Sequence, residues 1–103
     1  MYDKKNMKNE AIFYKKRAPH NPKKINGHYV ENLPINSKLL ILEDESYQEN
    51  DFVVVGINVF TIAQVIIKKH PLRKTFEAKE FTLRWVGVVN QMKKVQEIIA
   101  KVE

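Results

Sequence analysis

The 103-residue chain contains no cysteine, and this absence excludes disulfides, thiolate zinc sites and cysteine nucleophiles together. No apolar run approaches the roughly 20 residues that a membrane-spanning helix needs. The N-terminal stretch MYDKKNMKNE also lacks the apolar core of a signal peptide. These absences, together with the length, predict one soluble cytoplasmic domain that has no membrane partner.

Glycine and serine are scarce, and neither occurs in a pattern typical of phosphate binding or catalysis. Gly27, Gly56 and Gly87 stand alone, so no phosphate-cradling loop is indicated. Ser37 precedes an apolar run and Ser46 lies among acidic residues, and both are interpreted as solvated turn residues. Because no activated nucleophile is indicated, the chain is not expected to be an enzyme.

The histidines and carboxylates do not form a metal-ligand pattern. His20, His28 and His70 are too irregularly spaced to place two ligands on one element, and surface or loop positions are expected for them. The acidic segment from Glu43 to Asp51 lacks the DxDxDG pattern and the glycine of a calcium loop. The sequence therefore predicts neither a metal nor another cofactor.

The net charge of +6 is unevenly distributed along the chain. Residues 1–24 contain eight Lys or Arg and two Asp or Glu, whereas residues 25–67 contain only Lys38 against six acids. Residues 68–103 are basic again, with nine bases and four acids. Such segregation can steer an anionic partner to the two basic segments, or one copy of the chain to another.

Short β-favouring runs separated by turn residues predict a mainly β protein. A flexible polar arm is expected over residues 1–10, followed by strands at 11–16, 37–43, 51–57, 60–69 and 81–89. The segment RAPHNPKKING, residues 17–27, is expected to be a loop because proline and glycine oppose regular structure. Asn58 and Val59 are the expected turn of the central hairpin, and residues 70–80 the expected basic connector.

The last segment changes its periodicity. Apolar residues recur there at steps of three and four, which predicts an amphipathic helix over residues 90–102. These residues are Val89, Met92, Val95, Ile99 and Val102. The expected fold class is mainly β (α+β): a small antiparallel sheet or partly open β-barrel with a C-terminal amphipathic helix, in one domain over residues 11–103.

The order LLIL, NDFVVVGI, FTIAQVI and HPLRKTFEAKEFTLRWVGVV resembles the C-terminal β domain of self-cleaving repressors of the LexA and UmuD type. The resemblance spans about residues 27–89. It implies a serine nucleophile on a loop over residues 27–40, activated by a lysine that burial keeps neutral. In this register Tyr29 replaces the serine and Ala63 replaces the lysine. The resemblance therefore implies a catalytically dead relative, in which the apolar segment 51–66 is scaffold.

The two basic segments support the main functional hypothesis. Tyr14 and His20 lie near the first, and Phe76 and Trp85 near the second, although Trp85 is interpreted as a core residue. Lysine and arginine neutralise phosphates, and exposed aromatic faces stack on unpaired bases. The predicted nucleic-acid-binding residues are Lys15, Lys16, Arg17, Lys23, Lys24, Lys68, Lys69, Arg73 and Lys74.

The sequence thus predicts a non-catalytic regulatory module that binds RNA or single-stranded DNA through these segments. The alternative is a protein-interaction or dimerisation domain of the phage-repressor type, without peptidase activity. In that case the acidic middle of one chain would meet the basic end of another in a homodimer, or the C-terminal helices would pair. A third alternative is a small-molecule site, which is supported only by the general ability of a barrel mouth to bind a ligand.

Overall fold

The computed structural model describes residues 9–31, 36–42, 45–69, 75, 77–91 and 94–102, which form six strands and one helix. The elements are β1 (Asn9–Lys15), β2 (Ala18–Glu31), β3 (Asn36–Ile41), β4 (Phe52–Val55), β5 (Asn58–Lys69), β6 (Glu77–Val88) and α1 (Val95–Val102). The strands pair antiparallel in the order β1-β2-β3-β6-β5-β4, and β4 pairs with β1, so the sheet runs in a ring. The predicted fold class is confirmed.

Strand β4 accounts for the unbroken apolar run DFVVV. Val53 and Val55 belong to the cluster that fills the ring, whereas Phe52 and Val54 belong to a second cluster that includes Ile99 of α1. All four residues of the strand are buried. The alternation of apolar and polar residues is absent because both faces of β4 are covered. Helix α1 thus packs on the outside of the ring. In the described part of the chain, no helix is long and apolar enough to cross a membrane.

The ring has two ends of different composition. The charged end comprises the β1–β2 turn, Lys16 and Arg17, together with the segment 45–51 that leads into β4. The apolar end comprises the Gly56–Ile57 turn between β4 and β5, together with Trp85 and Val88 near the end of β6.

The predicted loop over residues 17–27 is wrong, because these residues belong to β2 from Ala18 onward. Pro19 and Pro22 lie in an irregular stretch of the ladder with β1, and β3 pairs with β2 only from Gly27. A proline is tolerated in such a stretch because its missing N–H breaks no ladder hydrogen bond. The same strand contains Tyr29, which was expected in a loop.

Several predicted boundaries also shift. The hairpin turn lies at Gly56 and Ile57 rather than at residues 58–59. Gly56 adopts a φ of 62°, a conformation that glycine adopts without steric strain because it has no Cβ atom. Strand β6 begins at Glu77, inside the expected connector, and β1 includes the last two residues of the expected arm. Helix α1 begins five residues later than predicted. The rest of the arm, residues 1–8, and residues 70–74 and 76 of the connector lie outside the described residues.

Candidate nucleic-acid interface

The β1–β2 turn presents three consecutive cations at the charged end. Lys15 ends β1, Lys16 and Arg17 form the turn, and all three are exposed. The Lys15 ammonium donates to Ser46 Oγ at 3.2 Å and lies 5.4 Å from the centroid of the Tyr47 ring. Lys16 and Arg17 make no ion pair with a carboxylate in the described part of the chain. Their positive charge is therefore available to an anion.

The carboxylate of Asp51 fixes this turn from beneath. Its Oδ1 accepts from the backbone N–H of Lys16 at 2.8 Å, and its Oδ2 accepts from that of Gln48 at 3.1 Å. The Asp51 carbonyl also accepts from the N–H of Ile62 at 2.8 Å and from the Thr61 hydroxyl at 3.4 Å. Asp51 thereby ties the turn, the segment 45–51 and β5 together. Hydrogen bonds to a charged acceptor are among the stronger ones in proteins, so the turn is well defined.

Tyr47 anchors the segment 45–51 across the charged end. Its ring lies 4.8 Å from that of Phe13, centroid to centroid, and Phe13 lies 5.4 Å from Phe81 inside the ring. Burial raises the pKa of the Tyr47 hydroxyl, and the nearby Glu45 carboxylate raises it further. The side chain is only 6% exposed, so its face cannot stack on a base.

A surface pocket of about 750 Å³ lies between the turn and this segment. Its cationic wall consists of Lys15, Lys16 and Arg17, and its opposite wall includes Glu49 and Asp51. The Asp51 carboxylate is already engaged by two backbone N–H groups. Among the described residues that line the pocket, cations therefore outnumber the carboxylates that remain open to solvent, and an anionic group is favoured on the cationic wall.

The other predicted basic residues are divided among different environments. Lys23 pairs with Glu45 at 2.5 Å, Lys24 with Glu10 at 3.6 Å, and Lys68 with Glu80 at 2.9 Å. Lys69 is exposed at the end of β5. Arg73 and Lys74 lie outside the described residues. Of the seven predicted residues within the described part of the chain, the structure brings Lys15, Lys16 and Arg17 to the pocket.

The prediction that Trp85 belongs to the core is wrong. Its side chain is 39% exposed at the apolar end, and its Nε1 donates to Asn58 Oδ1 at 3.1 Å. The ladder with β5 is irregular beside it, between Val59 and Phe60, so the inward alternation of β6 ends there. Phe76 lies outside the described residues. The exposed indole is thus at the opposite end of the ring from the basic turn.

The structure describes both serines and two of the three histidines. Ser37 is buried on β3, at 4% exposure, so its assignment to a solvated turn is wrong, whereas Ser46 is exposed as expected. His20 is exposed on β2. His28 also belongs to β2, and His70 lies outside the described residues.

Sequence reasoning did not predict the roles of Asp51 and Tyr47, because the acidic segment 43–51 was considered only as a possible calcium loop. A local signal existed for Asp51, which follows Asn50 in a turn and directly precedes an apolar strand. Asn50 has a positive φ of 76°, a conformation in which asparagine is enriched.

Compared with known proteins, the chain matches no family model, no curated protein and no solved structure.

Proposed function

We propose that this chain is a non-catalytic binding module whose basic turn holds the phosphates of a single-stranded nucleic acid. The observation that supports this proposal best is the run of Lys15, Lys16 and Arg17, exposed on one fixed turn beside a concave pocket. Each cation that neutralises a phosphate releases condensed counterions, which favours binding. A single strand can bend into such a short concave surface, whereas a duplex is stiff over about 150 base pairs.

Recognition in this proposal is through the backbone and not through the bases. Tyr47, the aromatic residue in contact with Lys15, is buried, and Trp85 lies at the other end of the ring. Among the described residues, no exposed aromatic face for base stacking therefore lies beside the basic turn. Weak sequence preference and a strong dependence on salt follow from this arrangement.

Lys15 donates to Ser46, so the two residue types of a serine–lysine dyad are in contact. The surroundings of this contact nevertheless support a non-catalytic role. Such a dyad needs a lysine that burial keeps neutral so that it can accept the serine proton. Both side chains are exposed to solvent, so the burial that such a dyad needs is absent here. The pair therefore serves to hold the segment 45–51 against the turn.

Fluorescence anisotropy with labelled mixed-sequence RNA and DNA strands tests the proposal. The variant is K16Q/R17Q, which removes two charges from the basic turn. The matched control is K24Q/K68Q, which removes two charges that are paired with Glu10 and Glu80. If Lys16 and Arg17 each contact one phosphate, the slope of log K against log salt should fall by about 1.4 in the variant. The control should keep the slope of the unmodified chain.

Two outcomes would contradict the proposal. Absence of binding at low salt to both RNA and DNA would remove it. Equal losses in the variant and the control would show that net charge alone, and not the basic turn, attracts the strand. Circular dichroism of all three proteins establishes that the comparison is made between folded molecules.

A further inference from the structure

Within the described residues, strand β5 has a neighbouring strand on one side only along its second half. Strand β4 pairs with it at Asn58–Thr61, and Asn50 and Asp51 exchange backbone hydrogen bonds with Ile62. Strand β6 accompanies it as far as Lys69. Residues 64–68 therefore form an edge beside which no strand lies in the described part of the chain. The unpaired N–H and C=O groups of such an edge are a template for another strand.

The side chains along this edge are unusually apolar. Ile67 is 59% exposed, Ile66 is half-buried, and Val65 packs against the cluster that fills the ring. Val65 and Ile67 also line a groove of about 500 Å³ together with Tyr47 and Lys79. A strand added to this edge would cover Ile67 and continue the sheet.

We propose that this edge pairs with the same edge of a second copy of the chain, antiparallel and centred on Ile66. In this register Ile66 faces Ile66 of the second copy, Val65 faces Ile67, and Gln64 faces Lys68. The segment is self-complementary under a two-fold axis, which is the symmetry of most homodimers. Val65 and Ile67 of both copies then form one apolar cluster on the inner face of the joined sheet.

Charge favours this register over those that bring the two copies of Lys68 together. No lysine faces another lysine, and the two copies of Lys68 are separated by about 13 Å along the strands, at about 3.3 Å per residue. That separation exceeds the Debye length of about 8 Å at physiological ionic strength. The Lys68 ammonium is also paired with Glu80 at 2.9 Å. A register centred on Lys68 would instead place two ammonium groups opposite each other, which is unfavourable.

The segment 64–68 has a polar residue at each end, Gln64 and Lys68, and apolar residues between them, so its pattern is symmetric about Ile66. A second copy of the same segment matches this pattern and is therefore the proposed occupant. The interface is small, since only five residue pairs form, and a stable complex usually buries at least about 1,200 Å². We therefore expect a weak dimer with a Kd on the order of 10⁻⁴ M. This association does not depend on nucleic acid, so it stands or falls separately from the proposed function.

Analytical ultracentrifugation over a concentration series, without nucleic acid, tests the association. The variant I67K puts a charge inside the proposed edge, opposite Val65 of the second copy. The matched control I57K puts the same charge at the apolar end, on a side chain that is 60% exposed against 59% for Ile67. We expect I67K to weaken the dimer at least about tenfold, a loss typical of a charge placed in an apolar contact, and I57K to leave it unchanged. A chain that is monomeric up to about 1 mM, ten times the expected Kd, would overturn the proposal.

Disulfide trapping tests the register, and the absence of native cysteine makes it unambiguous. In the proposed register the two copies of residue 66 are directly opposite, with Cα atoms about 5 Å apart, which suits a disulfide. The two copies of residue 64 are about 13 Å apart along the strands and cannot be bridged. We expect mild oxidation to convert I66C to a covalent dimer and to leave Q64C monomeric. Equal cross-linking of both, or of neither, would overturn this register.

Discussion

The charged end and the apolar end of the ring differ in how their side chains are satisfied. At the charged end, Tyr47 packs on Phe13, and Asp51 accepts hydrogen bonds from two segments. At the apolar end, Ile57, Trp85 and Val88 remain exposed at 60%, 39% and 46%. The difference indicates that the end with more charges is the better anchored one. Its exposed cations can therefore serve binding, because stability there rests on buried groups beneath them.

Removal of an aromatic ring should have a much larger effect at the charged end than at the apolar end. Phe13 is fully buried against Tyr47 and Phe81, so F13A should lower the free energy of unfolding by about 3–5 kcal/mol. W85A removes a larger but partly exposed ring and its hydrogen bond to Asn58, and should cost only about 1–2 kcal/mol. Urea denaturation followed by far-ultraviolet circular dichroism measures both.

Because W85A also removes the single tryptophan, fluorescence cannot serve for both proteins. The comparison would be reversed by a W85A variant that loses as much stability as F13A. That result would mean that the indole is a structural element of the apolar end and not an accessory one.

Neutralisation of Asp51 should have the next largest effect. D51N keeps one acceptor oxygen but replaces the other by an amide that cannot accept the Gln48 or Lys16 N–H, so we expect a loss of about 1–3 kcal/mol. E49Q is the matched control, because Glu49 lies two residues away, is exposed and should change stability by less than about 0.5 kcal/mol. Thermal or urea unfolding at neutral pH distinguishes the two. Similar values for both variants would mean that the carboxylate does not hold the turn.

The sequence was sufficient to predict the strands β1, β3, β4, β5 and β6, the C-terminal helix and the fold class. Periodicity is local information, and these elements follow their local pattern. The second strand was missed because Pro19 and Pro22 argue against a strand, whereas their position in an irregular part of the ladder removes the objection. The pairing of β2 with β1 and β3 decides that position, and the composition of residues 17–27 alone does not show it.

The candidate site was predictable only in part for the same reason. The run of Lys15, Lys16 and Arg17 is visible in the sequence, and so is the charge of residues 43–51. Which cations are neutralised depends on contacts such as that between Lys23 and Glu45, which are 22 residues apart in sequence. The role of Asp51 depends likewise on Lys16, 35 residues away. Local patterns gave the charges, and only the fold determined which of them remain open to an anion.

The smallest expected effect concerns Tyr47 and appears only at alkaline pH. Burial raises the pKa of its hydroxyl above the value of 10.0 that it has in the unfolded chain. As the pH rises past 10, the unfolded chain releases this proton first, so the free energy of unfolding falls until the folded pKa is passed. Y47F removes this contribution and should show a shallower decline as the pH rises past 10.

Tyr14, whose pKa burial also raises, provides the comparison on the outside of the ring. Y14F should flatten the alkaline decline as well, and the double variant should flatten it most, because the two rings belong to separate clusters and act independently. Denaturation curves at several pH values measure these slopes, with the stability at pH 7 as the reference. An alkaline decline that is the same in Y47F and in the unmodified chain would show that the Tyr47 hydroxyl at the charged end titrates as freely as one in water.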